Sequence, residues 1–266
     1  MQILKMVRKI IQYPRLTQNY PDKSRLRVDR FVGKPVIDIS KCTRCGECAS
    51  RCPSRAIVLN RESNDIGINY DECIYCMLCE EVCQTRAAKM TNDFEFAEKN
   101  RNRLRKSPLP EDSGVSEVSH EELCNKLERN IKKTLGRSLY IREVDSGSCN
   151  GCDYEINGMN NPLNDIERFG IHFVASPRHA DMLLVTGTAV RNMQNALLKT
   201  FNATPDPKVV VAVGACACSG GIFRDCYAAN SGIDSLVPVD LYIPGCPPRP
   251  QAIMYGILKV LDRIKG

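Results

Sequence analysis

The sequence predicts a two-part protein: a small α+β unit built on an internal repeat, then a larger α/β domain with a mostly parallel sheet. Three observations carry this. A cysteine run of the form C-x2-C-x2-C-x3-C occurs twice, over residues 42–52 and 73–83, each time between short apolar runs. From residue 138 onward, runs rich in β-branched residues alternate with helical patterns, which implies right-handed crossovers between parallel strands. Between the two parts, residues 107–116 have the Pro, Gly and Ser content of a linker.

The 266 residues are 43% hydrophobic and include 15 cysteines and no Trp. An odd cysteine total argues against complete disulfide pairing. The first twenty residues carry no signal-peptide pattern and no run is long enough for a membrane span, so a reducing cytosol is expected. Clustered cysteines there mean metal or redox chemistry. A net charge of +6 is too modest to argue for a nucleic-acid partner.

Residues 1–34 form a basic docking segment. Ile3, Leu4, Met6, Val7, Ile10 and Ile11 among Lys5, Arg8 and Lys9 fit a short amphipathic helix that stops near Pro14. Docking on a partner is preferred to the membrane surface, because the apolar face is short. An arm lying on the chain's own second domain is the plainer reading.

Residues 35–92 form the repeat unit. Cys42, Cys45, Cys48 and Cys52 are followed by Pro53; Cys73, Cys76, Cys79 and Cys83 repeat the spacing. This is the run of two-cluster bacterial ferredoxins, in which the fourth cysteine serves the other cluster. Cys42, Cys45, Cys48 and Cys83 are therefore expected to hold one 4Fe–4S cluster, and Cys73, Cys76, Cys79 and Cys52 a second. Strands are expected at 36–40, 57–59, 66–70 and 87–90. Zinc sites usually space their ligand pairs farther apart and often include His. A zinc-dependent nucleic-acid binder is the contrasting class.

Residues 93–118 are expected as a linker. A capping box at Ser119 and Glu122 opens a helix carrying Leu123, Leu127, Ile131 and Leu135. Cys124 reads as a packed thiol. In the second domain, residues 119–266, strands are expected at 138–144, 171–174, 182–186, 209–213 and 241–244, with helices at 190–201 and 250–264. Parallel sheets place ligands beyond the carboxyl ends of their strands. Cys149, Cys152, Cys216 and Cys246 all follow such ends, which predicts a third 4Fe–4S site. Cys218 competes with Cys216, which is favoured; Cys226 reads as a non-ligand. A thioredoxin-like dithiol at Cys149 and Cys152 lacks its fold context. There is no Walker motif, no G-x-G-x-x-G and no clustering of the three histidines.

Residues 138–153 (SLYIREVDSGSCNGCD), 214–223 (GACACSGGIF) and 244–248 (PGCPP) together resemble the small subunit of energy-converting, membrane-bound nickel–iron hydrogenases. The same family contains the complex I subunit that carries the last cluster before quinone. The N-terminal part resembles the separate ferredoxin-like subunit of those complexes, so a fusion is implied. The resemblance implies a two-cluster ferredoxin-like α+β domain followed by a flavodoxin-like α/β domain. It also implies electron transfer through three 4Fe–4S clusters to a nickel–iron hydrogenase-like large subunit. Membrane subunits and an external ferredoxin, or another electron-input subunit, are the other implied partners. The place is the cytoplasmic face of the membrane, as a peripheral subunit. No catalytic residue and no nickel site are expected on this chain. The spaced pair Cys149-x-x-Cys152 resembles the hydrogenase branch, since complex I has adjacent cysteines there. Transfer to quinone or a sulfur compound is the alternative. By the same resemblance Glu155 lies on a proton path at the partner interface; a capping or solvated carboxylate is the alternative.

Overall fold

The computed structural model describes residues 2–12, 16–18, 20, 31–60, 65–105 and 137–261. Helix α1 (Gln2–Gln12) leads, with Lys5, Met6, Val7, Arg8 and Lys9 all exposed. Beyond it, Gln18 and Tyr20 lie on the second domain. The Arg168 guanidinium donates to the carbonyl oxygens of Gln18 (2.9 Å) and Tyr20 (3.0 Å).

The repeat unit contains β1 (Pro35–Ile37), α2 (Glu47–Ser50) and β2 (Ile57–Asn60), then β3 (Asp65–Ile68), α3 (Leu78–Glu81) and β4 (Ala88–Met90). Its strands pair across the repeat: β1 with β4 and β2 with β3, both antiparallel. Four-residue helices have no stability of their own. Left-handed residues set the turns around them, at matching places in both halves: Arg44 and Tyr75, Gly46 and Met77, Arg55 and Arg86. Strand β1 stops earlier than expected because Asp38 accepts hydrogen bonds from the Ser40 N–H (3.0 Å) and hydroxyl (2.6 Å), turning the chain. Strand β3 also stops early, since the Tyr70 N–H turns to the Leu104 carbonyl at 2.7 Å.

The second domain has five parallel strands: β5 (Leu139–Asp145), β6 (Ile171–Phe173), β7 (Met182–Thr186), β8 (Val209–Val213) and β9 (Leu241–Ile243). Their order, β6-β5-β7-β8-β9, is the flavodoxin-like doubly wound order. All five β7 residues are buried, as a central parallel strand covered on both faces requires. Met182 and Leu184 join Ile156 of α4 (Gly151–Gly158), Met159 just after it, and Ile253 and Ile257 of α7 (Pro250–Leu261) on one face. Leu183 and Val185 face the other way, with Leu197 of α5 (Arg191–Ala203) and Cys218 of α6 (Gly214–Ser219). That second core is continuous with Ile57, Ile66, Ile68, Tyr70 and Phe96 of the N-terminal half.

The expected linker begins as a packed strap. Glu98 exchanges backbone hydrogen bonds with Tyr242 (3.0 and 2.8 Å), covering the open edge of β9. Leu104 is fully buried. Asp71, with no exposed surface, pairs with Arg101 (2.8 Å) and Arg105 (2.9 Å), and Arg101 reaches Asp234 (2.9 Å). The Ser219 hydroxyl donates to the Asp71 carbonyl at 2.6 Å, and Arg224 pairs with Glu72. The rest of the linker and the helix expected after Ser119 lie outside the described residues.

Arg101→Ala leaves a buried carboxylate with only Arg105. It is expected to lower unfolding stability by about 3 kcal/mol, read from the midpoint and slope of chemical denaturation. A loss under about 0.5 kcal/mol, ordinary for a surface position, would show that the junction does not depend on this pair.

Candidate metal centres

All fourteen described cysteines are free thiols, and twelve of them are those expected in three sets of four. In the first group, burial pushes the Cys48 thiol up, and charges at Cys42, Cys45 and Cys83 push it further. In the second, burial pushes Cys73 up to about 12; the Tyr75 N–H, 3.4 Å from its sulfur, opposes this, and Cys79, Cys52 and Cys76 add to it. Cys83 of the second half thus acts on Cys48 of the first, and Cys52 of the first half on Cys73 of the second. The repeat extends to the hydroxyl beside each fourth thiol: Ser54 lies 3.7 Å from Cys52 and Thr85 3.6 Å from Cys83. A cavity is lined by Cys52, Cys73, Cys76 and Cys79, with apolar walls from Pro35, Ile57, Ile68, Leu78 and Met90. The two groups are neighbours, since Cys48 acts on Cys79.

The third group sits beyond the carboxyl ends of three strands. After β5, Asp145 accepts from the N–H groups of Gly147 (2.8 Å) and Ser148 (2.7 Å), and left-handed Asn150 leads into α4. Cys149 is thus left exposed while Cys152 is buried in the first turn. After β8, Gly214 at φ +87 opens α6, and a Cβ there would stand 2.5 Å from the Cys152 sulfur. After β9 comes Cys246, whose loop is tied to α6 by the Ala215 N–H and the Gly245 carbonyl at 2.7 Å. Burial raises the Cys152 thiol, and Cys216, Cys246 and Cys149 raise it further. Burial also pushes Cys216 up to about 11, with Cys246 and Cys149 adding to it. Cys76 acts on Cys246, so the third group borders the second.

Cys218 turns the other way. It is fully buried, and its S–H points at the carbonyls of Ile243 (3.7 Å) and Ala212 (3.8 Å). Cys226 is exposed on a later loop. Among the described residues, no three His, Cys, Asp or Glu side chains converge as closely as a single metal ion requires. A cubane stands its four ligands farther apart, around four irons, and takes thiolates alone. The donor chemistry, the wall of apolar side chains and the small residue against Cys152 all fit such a group.

Carboxyl groups flank the third set. Burial, then the hydrogen bond and charge of Asp153, lift Glu143 from 4.5 to about 7. Burial alone would raise Asp153, yet the hydroxyls of Ser148 (2.5 Å) and Thr186 (2.6 Å), with Glu143, hold it below its usual range. The pair had no sequence signal, because Glu143 reads as the polar position of an alternating strand. Glu155, on α4, is half-buried; burial raises it and Arg249 opposes that.

Residues 149–260 match the family described as NADH ubiquinone oxidoreductase, 20 kDa subunit, and residues 34–84 match the 4Fe-4S dicluster domain. The chain is 48% identical over 145 residues to formate hydrogenlyase subunit 7 of Escherichia coli (strain K12), covering 54% of this chain and 57% of the relative. It is 46% identical over 132 residues to the probable membrane-bound hydrogenase subunit mbhJ of Pyrococcus furiosus, covering 50% and 79%. It is 50% identical over 113 residues to an NADH-quinone oxidoreductase subunit of Geobacter metallireducens, covering 42% and 66%. It spans less than two thirds of the first and third of these.

Glu143 holds its proton more tightly in the folded chain than in the unfolded one between about pH 4.5 and about 7. Its contribution to stability is complete below that window and is lost as pH rises through it. Glu143→Gln is expected to flatten this slope. Parallel thermal melts of both proteins across the window check it, and an unchanged slope would show that Glu143 does not hold the extra proton.

Proposed function

Because the chain belongs to the NADH ubiquinone oxidoreductase 20 kDa subunit family, with a 4Fe-4S dicluster domain joined ahead of it, we propose that it is the electron-transfer subunit of a membrane-bound nickel–iron hydrogenase. It connects a ferredoxin-type donor to the active site of a partner large subunit. Cys42, Cys45, Cys48 and Cys83 hold the first cluster, Cys73, Cys76, Cys79 and Cys52 the second, and Cys149, Cys152, Cys216 and Cys246 the third. Contiguity supports this reading: the short helices that carry Cys48 and Cys79 pack together, and Tyr75 lines both the cavity of Cys52, Cys73, Cys76 and Cys79 and the one that contains Cys246. When bound, 4Fe–4S clusters supply one-electron carriers whose potentials depend on burial and on hydrogen bonds to sulfur.

The chain's own residues do the rest. Thiolates anchor, and apolar walls keep water from the second site. The N–H groups of Tyr75 and Ala88, each 3.4 Å from a thiol sulfur, offset part of the negative charge. Around the third site Tyr154 is 78% exposed, and Ile222 and Phe223 on the turn after α6 are about half exposed. Apolar side chains left open on and just after the helices that carry Cys152 and Cys216 suit a docked large subunit. No described helix is long and apolar enough to cross a membrane. In this reading the chain joins the membrane subunits as a peripheral component at their cytoplasmic face. Glu155 lies at the large-subunit interface on a proton path.

The likeness to the Geobacter NADH-quinone oxidoreductase subunit favours a second reading, electron delivery to quinone or a sulfur compound. Nickel analysis of the purified complex separates the two, because only a hydrogenase large subunit retains that metal.

Cys152→Ser and Cys246→Ser are expected to take iron from about twelve to about eight atoms per chain. They should also abolish ferredoxin-driven hydrogen evolution while the first two clusters still reduce. Cys218→Ser should retain all iron; loss of the third cluster there, with Cys216→Ser sparing it, would reverse the ligand assignment.

Cys83→Ser is expected to damage the cluster of Cys42, Cys45 and Cys48 and leave its sequence neighbours Cys73, Cys76 and Cys79 loaded. Site-resolved spectroscopy showing the opposite pattern would refute the crossing.

A further inference from the structure

We propose that Tyr75 is the packed bridge across which an electron passes from the second thiol group to the third. This rests on the three-cluster reading above and adds the element that joins two of its sites. Tyr75 stands between Cys73 and Cys76 with φ +56. A glycine takes that conformation freely, whereas a side chain there costs about 1–2 kcal/mol. Such strain persists where the side chain it presents has a use.

The side chain lines two cavities at once. One is that of Cys73, Cys76 and Cys79; the other contains Cys246 and Arg249. Gly245 and Cys246 line that second cavity with Tyr75, and the Gly245 carbonyl accepts from Ala215 of α6 (2.7 Å), the helix that carries Cys216. Tyr75 therefore occupies the seam where the two groups meet. At the matching place in the first loop, with φ +57, stands Arg44. The repeat keeps its backbone and changes its side chain, and the aromatic ring falls on the copy that abuts the second domain.

Electron tunnelling weakens steeply with distance and is better served by packed atoms than by a void. One electron leaves the second site and one arrives at the third. Tyr75 is neither oxidised nor deprotonated, so no proton or other reactant is needed.

The test uses the intact complex carrying Tyr75→Phe, Tyr75→Leu or Tyr75→Gly. Iron content, the paramagnetic signals of all three clusters and the pulsed-EPR distance between the second and third are measured beside the reduction rate of the third. Tyr75→Phe is expected to match the parent. Tyr75→Gly relieves the backbone strain and opens the seam. It is expected to keep every cluster and the distance, yet to slow reduction of the third cluster several-fold while the first two reduce as before. If Tyr75→Gly loses the second cluster, Tyr75→Leu carries the comparison, with a slower rate expected at native iron content. A native rate in the fully loaded Gly or Leu variant would overturn the proposal alone. So would a Phe variant as slow as Gly. Absence of the third signal from the parent complex would instead remove the reading beneath it, and the proposal with it.

Discussion

Four thiolates brought into one small volume repel one another, and burial sharpens that repulsion by removing solvent. Burial first, and neighbouring thiols after it, raise the thiol pKa values of Cys73, Cys79, Cys152 and Cys216. Left to themselves these groups would stay protonated and apart. The surrounding chain is arranged against that tendency. Tight left-handed turns fix where each sulfur stands, backbone N–H groups aim at some of them, and strand ends supply rigid anchors for the third set. Gly214 illustrates how little slack remains, since a single methyl there would overlap Cys152.

Holding each set is one task and holding the sets relative to one another is a second. The strap from Asp93 to Arg105 does much of the second. It closes the β9 edge through Glu98, buries Leu104 and delivers Arg101 and Arg105 to Asp71 just ahead of the second cysteine loop. Arg249 at the start of α7 stacks on Phe31 (4.3 Å) and Phe94 (4.7 Å), tying the helix after Cys246 to the N-terminal half. Buried ion pairs contribute less to net stability than to fixing one arrangement over others. That is the property a row of electron sites needs, because its throughput depends on fixed spacing.

Much of this was legible in the sequence. The bounds 182–186 and 209–213 match the sequence reading to the residue, because buried parallel strands appear as nearly unbroken apolar runs, here ended by Gly187 and Gly214. The cysteine spacings announced their own grouping. The strap was misjudged because its Lys- and Arg-rich composition looks solvated, while its partners, Asp71 and Asp234, are far away in sequence. Tyr75, Met77, Arg55 and Arg86 gave no turn signal, since left-handed positions are expected at Gly or Asn and tertiary packing imposed them here. Glu143 and Asp153 meet only once β5 and α4 are folded together, so no local pattern could reveal the pair.

The exchange of strands between the repeat halves has a consequence for how the molecule is made. Strand Pro35–Ile37 has its hydrogen-bonding partner at Ala88–Met90, and Ile57–Asn60 pairs with Asp65–Ile68, the opening strand of the second half. As the chain emerges from the ribosome, its first cysteine loop is synthesised long before the strand that closes it. Neither half is a folding unit, and the nascent segment pays its loop-closure entropy late, when the last strand arrives. Iron delivery is thereby tied to completion of the whole N-terminal unit. A truncated product ending before residue 88 lacks both the Ala88 N–H that reaches the Cys83 sulfur and the strand that seals β1.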